Sequence, residues 1–73
     1  MTHPIQGTVN RWIADSSRGS FGFIVADDGQ QVFLHQKECE RCGVRTPREG
    51  DRLEFSTQQG SRGLRAVGVR YVS

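Results

Sequence analysis

Arg18-Gly19-Ser20-Phe21-Gly22-Phe23-Ile24-Val25, followed after an acidic glycine turn by Val32-Phe33-Leu34-His35, decides how this chain folds. In an extended strand successive side chains point to opposite faces, so Phe21 and Phe23 share one face while Ile24 takes the other. Phe33 and His35 repeat that spacing. If the turn at Asp27-Asp28-Gly29 folds the second segment antiparallel against the first, four flat rings share one sheet face, with Arg18 at its border. A face of that kind offers unpaired bases a stacking platform.

Alternating aromatic residues also suit a barrel interior. Against that use, Val9, Ile24, Val25, Val32, Leu34, Leu53, Phe55, Ala66, Val67 and Val69 already supply a small core and leave the rings free for the surface. Gly22 between the rings removes a side chain from the opposite face, which permits a close approach or strong coiling there.

Length limits what the chain can do. Its 73 residues leave room for one domain, expected over 1–73, with one small core. A domain of this size buries only about 60% of its unfolded surface, so a sequestered enzyme cleft is hard to build and surface binding suits it better. The formal charge is +2, from 10 basic and 8 acidic residues. All the basic residues except Lys37 are arginines, whose planar guanidinium both stacks on bases and grips phosphate through two donors.

No stretch approaches the roughly 20 apolar residues of a membrane span, and Met1-Thr2-His3-Pro4 lacks the charged-then-apolar signal pattern, so a soluble cytoplasmic chain is expected; a monomer is expected as well. Cys39 and Cys42 form a lone Cys-x-x-Cys. A structural zinc needs four ligands and only His3 and His35 remain, while a thioredoxin-like role needs a βαβ context that is missing. Cys39 therefore reads as a small buried apolar residue and Cys42 as its neighbour, with no metal or cofactor expected. Asp27-Asp28 reads as turn chemistry beside Gly29, and His35 has no evident nucleophile to serve, so no catalysis is expected either.

Strand signals recur along the chain and helical periodicity does not. Strands are expected over Ile5 to Ala14, Ser20 to Val25, Gln31 to His35, Asp51 to Thr57 and Leu64 to Val72. One short helical turn is expected at Gln36 to Arg41, within a long polar loop, and a turn at Gln58-Gln59-Gly60-Ser61. Such strands, with one long connection after the third, predict an all-β, five-stranded antiparallel OB-fold barrel, partly open, because closure hides edges that would otherwise aggregate. A Tudor- or SH3-like barrel is the alternative, but it does not require rings clustered on the second and third strands.

From Gly7 to Val69 the chain resembles the cold-shock domain family. Gly7-Thr8-Val9 is similar to that family's first strand, Arg18 to Ile24 to its first ribonucleoprotein motif, and Val32 to His35 to its second. Gly50, Phe55, Gly60, Arg62-Gly63, Ala66 and Val69 fall where the family places later turns and strand residues. The resemblance implies a chaperone-like binder of single-stranded RNA or DNA, with Phe21, Phe23, Phe33 and His35 as contacts and Arg18 on phosphate.

Departures from the family pattern shrink the platform. Arg11 and Trp12 stand where a Trp-Phe pair is usual, Gln36 stands where an aromatic often follows the His, and Val44 replaces another ring. Extra residues including Ser16, Ser17 and Ser20 lengthen the first hairpin, and a bulge at Ser20 is expected to absorb them. The expected contact set is Arg11, Trp12, Arg18, Phe21, Phe23, Phe33, His35, Lys37 and Arg62. Two other roles compete: an accessory N-terminal domain of a longer, membrane-attached protein, as in some similar domains, and a protein-interaction barrel with weakened nucleic-acid binding.

Overall fold

Residues 4–61 and 63–72 are described by the computed structural model. Segments rich in β-branched and aromatic residues form β1 (Ile5–Ile13), β2 (Phe21–Ala26), β3 (Gln31–His35), β4 (Arg52–Gly60) and β5 (Gly63–Tyr71), with one short helix, α1 (Gln36–Arg41), after β3. The strands close into a barrel in the order β1-β2-β3-β5-β4.

Closure forces one departure from the antiparallel, partly open barrel expected from sequence. Five strands cannot alternate direction all the way round a closed ring, because an odd number leaves one pair running the same way. That pair is β3 and β5, which meet in parallel with Phe33 opposite Arg65. Every other neighbouring pair is antiparallel.

The β2–β3 hairpin turns where Asp27-Asp28-Gly29 predicts. Gly29 takes a φ of +92°, its N–H donates to the Ala26 carbonyl at 2.8 Å, and Asp28 Oδ1 accepts from the Gln30 N–H at 3.0 Å. Two other expectations move. Ser20 is not a bulge but lies outside the ladder, where its carbonyl accepts from the Gln36 N–H at 2.8 Å. The extra residue sits in β1, where the pairing with β2 shifts between Val9 and Arg11. In the same way the turn expected at Gln58-Gln59-Gly60-Ser61 is shorter, because β4 continues through Gln58 and Gln59, which pair with Arg65 and Leu64. Pairing with a long neighbour overrides the weak strand preference of two glutamines.

The lengthened β1–β2 connection carries its own order. Asp15 Oδ1 accepts from the Ser17 hydroxyl at 2.8 Å, the Ser17 N–H at 2.9 Å and the Arg18 N–H at 3.2 Å. Those bonds, the Ser17 hydroxyl first, hold the Asp15 carboxyl below its ordinary range.

Val9, Ile24, Val32, Leu34, Leu53, Phe55, Ala66 and Val69 fill the interior as expected, Cys39 is buried as expected, and Ala26 and Val44 join them. Full burial of each Val, Leu, Ile or Phe contributes roughly 1.5–3 kcal/mol. Two expected core residues lie elsewhere. Val25 is 38% exposed because its neighbours Ile24 and Ala26 take the inward face, and Val67 is only half-buried, paired with Ser56.

Helix α1 covers one flank of the barrel. Its only buried residue is Cys39, whose thiol is pushed up to about 11 by burial, with the Cys42 and Glu38 charges adding to the effect. Glu38 fastens the helix: its Oε2 accepts from the Gly68 N–H of β5 at 2.9 Å, from Arg41 at 2.8 Å and from the Cys42 thiol at 3.3 Å. At one end of the barrel a two-pronged pair joins Arg52 and Asp27 at 2.8 and 2.9 Å, and Arg52 also donates to Thr8 Oγ1 at 2.9 Å. Among the described residues, no helix is long and apolar enough to cross a membrane.

Candidate nucleic-acid interface

Directly opposed residues of neighbouring strands share a sheet face, so the register assigns the outer surface without ambiguity. Phe21 lies opposite His35 and Phe23 opposite Phe33. On the other side of β2, Ile13 faces Phe21 and Arg11 faces Phe23. Two rows of side chains therefore cross the sheet: Ile13, Phe21 and His35 in one, and Arg11, Phe23, Phe33 and Arg65 in the other.

Phe33 is the hub of the ring cluster. Its centroid stands 5.8 Å from Phe21, 5.8 Å from Phe23 and 6.3 Å from His35, with interplanar angles of 32°, 68° and 46°. These are offset and edge-on geometries, which leave faces of the rings available while the cluster holds itself in place. All four rings are half-buried. A groove of about 380 Å³ runs over Phe21, Phe23 and Phe33 to the β4–β5 turn at Gly60, Ser61 and Gly63, with Arg65 on its wall. A second, of about 320 Å³, lies between Phe33, His35, Lys37 and Arg41, and Arg65 lines it too.

His35 belongs to the ring cluster and also caps the helix that follows it. Its Nδ1 accepts from the Lys37 N–H at 3.0 Å and caps α1, which leaves the ring proton of the neutral imidazole on Nε2. The β1–β2 loop passes close beside it. A Cβ on Gly19, whose φ is +88°, would come within 3.1 Å of the His35 Cε1.

Of the contact set expected from sequence, Phe21, Phe23, Phe33, His35 and Arg11 come together on this face. Lys37 lies at its edge, exposed in the first turn of α1, and Arg18 is exposed in the Asp15-ordered loop. Arg62 lies outside the described residues. Trp12 is placed differently: it pairs with Gly22, on the inward side of the sheet, and packs against the edge of the core. A Cβ on Gly22 would collide with the Arg11 carbonyl oxygen and approach the Trp12 Cε3 to 2.5 Å, so the absent side chain makes room for the indole. The indole N–H is buried and meets no acceptor among the described residues.

Arg65 was missed. Its neighbour Ala66 faces inward, so alternation puts Arg65 outward, but only barrel closure reveals that β5 lies beside Phe33.

The family description "'Cold-shock' DNA-binding domain" matches residues 5–72. A cold shock-like protein of Thermotoga maritima is 40% identical over 62 residues, covering 85% of this chain and 91% of that protein. A probable cold shock protein A of Mycolicibacterium smegmatis is 40% identical over 68 residues, covering 92% and 97% respectively. A major cold shock protein of Streptococcus pyogenes is 38% identical over 64 residues, covering 88% and 91%.

Proposed function

Because the chain belongs to the cold-shock DNA-binding domain family, we propose that it binds single-stranded RNA or DNA by stacking unpaired bases on Phe21, Phe23, Phe33 and His35. The observation that carries this reading is the ring cluster centred on Phe33, with cations at its margins. Arg11, Arg18 and either Lys37 or Arg62 hold phosphates, and Trp12 acts from the inward side by supporting β2 at Gly22. The role is non-catalytic: stacking is sequence-tolerant because every base has a π face, and a protein that prefers splayed bases holds strands open. It works as a cytoplasmic monomer.

Each base–ring contact contributes roughly 1–3 kcal/mol gross, from which the ordering of the strand must be subtracted, leaving a Kd on the order of micromolar. With about three phosphates neutralised, the log–log salt slope on a single strand is near −2. Titration of labelled DNA and RNA oligomers at several salt concentrations, followed by label anisotropy, tests this. Saturable binding that weakens with salt and collapses in folded Phe21→Ala and Phe33→Ala variants is the expected result. A folded parent that binds neither oligomer at low salt refutes it.

A further inference from the structure

The row Arg11–Phe23–Phe33–Arg65 is built from directly opposed positions on four successive strands, β1, β2, β3 and β5. Strands lie about 4.8 Å apart, so the row runs about 14 Å along the curved sheet from Arg11 to Arg65, with both rings between them. The neighbouring row begins at Ile13 and ends at His35. The first row is therefore the one bounded by a guanidinium at each end.

Those two guanidinium groups are also available. Arg41, Arg52 and Arg70 are each tied to a carboxylate, at 2.8, 2.8 and 2.7 Å. Arg11 and Arg65 form no ion pair among the described residues, and the one side-chain partner of Arg65 is the neutral Gln58, at 3.3 Å. Arg65 moreover forms part of the wall of both grooves that meet at Phe33, so a chain passing from one groove to the other must pass its side chain.

Resting on the stacking reading above, we infer that Arg65 is a phosphate-binding residue and that Arg11 and Arg65 together clamp the phosphates flanking a two-base step stacked on Phe23 and Phe33. The nucleic-acid strand then crosses the β-strands along this row and leaves over Arg65 toward Lys37. A planar guanidinium suits each end of such a row, because it grips a phosphate through two donors while lying flat beside a ring.

The test is the salt dependence of hexanucleotide binding by the parent and by Arg65→Gln, Arg11→Gln, the double variant, Arg65→Lys and Arg70→Gln. Loss of one phosphate contact on a single strand removes about 0.7 from the log–log slope. Each Gln variant is expected to lose that amount, the double variant about twice it, and affinity should fall several-fold at low salt with the difference vanishing at high salt. Arg65→Lys keeps the slope. Arg70→Gln, which removes the same charge away from this face, also keeps it. If Arg65→Gln binds with the parent's slope, the clamp is wrong while the stacking platform stands. If the parent itself fails to bind, both readings fall.

Discussion

The rings of Phe21 and Phe33 stand 5.8 Å apart with their planes tilted by 32°, although they are not directly opposed across the β2–β3 ladder. They are diagonal neighbours, and Phe33 therefore touches rings in both rows. Truncating Phe33 removes one stacking surface and leaves Phe21, Phe23 and His35 without their common partner.

Phe33→Ala should accordingly weaken oligonucleotide binding more than Phe21→Ala. One lost stack costs roughly 1–3 kcal/mol, or about 5- to 150-fold in Kd, and Phe33→Ala should fall at the upper end. Thermal unfolding run beside the titration separates lost contacts from lost fold. Equal losses in the two variants would show that the rings act independently.

His35→Ala should lower both stability and affinity, since the imidazole caps α1 through Nδ1 and supplies a ring to the platform. A lost cap costs about 1 kcal/mol. His35→Asn tells the two duties apart, because Asn is a good capping residue with no aromatic ring. The Asn variant should recover most of the melting temperature and none of the binding.

Gly22→Ala should be severely destabilising for a single methyl group. The new Cβ would meet the Arg11 carbonyl oxygen, a backbone atom that cannot swing aside, as well as the Trp12 ring. Overpacking of this kind costs about 1–3 kcal/mol or more, and each kcal/mol lowers the midpoint of a domain this small by about 4–8 °C. A melting curve followed by Trp12 fluorescence checks it. A parent-like midpoint would mean that β1 and β2 separate more easily than their register implies.

That contact also shows where the sequence stops being legible. The hairpin of β2 and β3 is written in period-two alternation and a glycine turn, so Phe21, Phe23, Phe33 and His35 were readable as one face. The bulge in β1 was not. Without it, alternation from the inward Val9 would turn Arg11 inward and Trp12 out among the rings; the extra residue at Asn10 reverses both. Nothing in the side chains of Val9-Asn10-Arg11 announces that reversal. Arg65 was hidden for another reason, since its neighbour across the β3–β5 seam is set by closure of the whole barrel rather than by any local pattern.

The attachment of α1 to β5 should be acid-labile. Burial alone would raise the Glu38 carboxyl, but the hydrogen bonds it accepts from Arg41, the Gly68 N–H and Cys42 outweigh burial and hold it below its ordinary value of 4.5. A group whose folded value is depressed stabilises the fold in full above its unfolded value, and that contribution disappears as pH falls through the folded value. Stability should therefore be flat with respect to Glu38 above about pH 5 and decline below 4.5. Asp15 and Asp27 are depressed as well, by the Ser17 hydroxyl and by Arg52, so they add to the decline. Glu38→Gln removes one titrating group and weakens the docking of the helix. The variant should melt lower than the parent near pH 7 and lose less on going to pH 3.5, so that the two curves converge in acid. Parallel curves across that range would show that the Glu38 charge contributes nothing to holding α1 on the barrel.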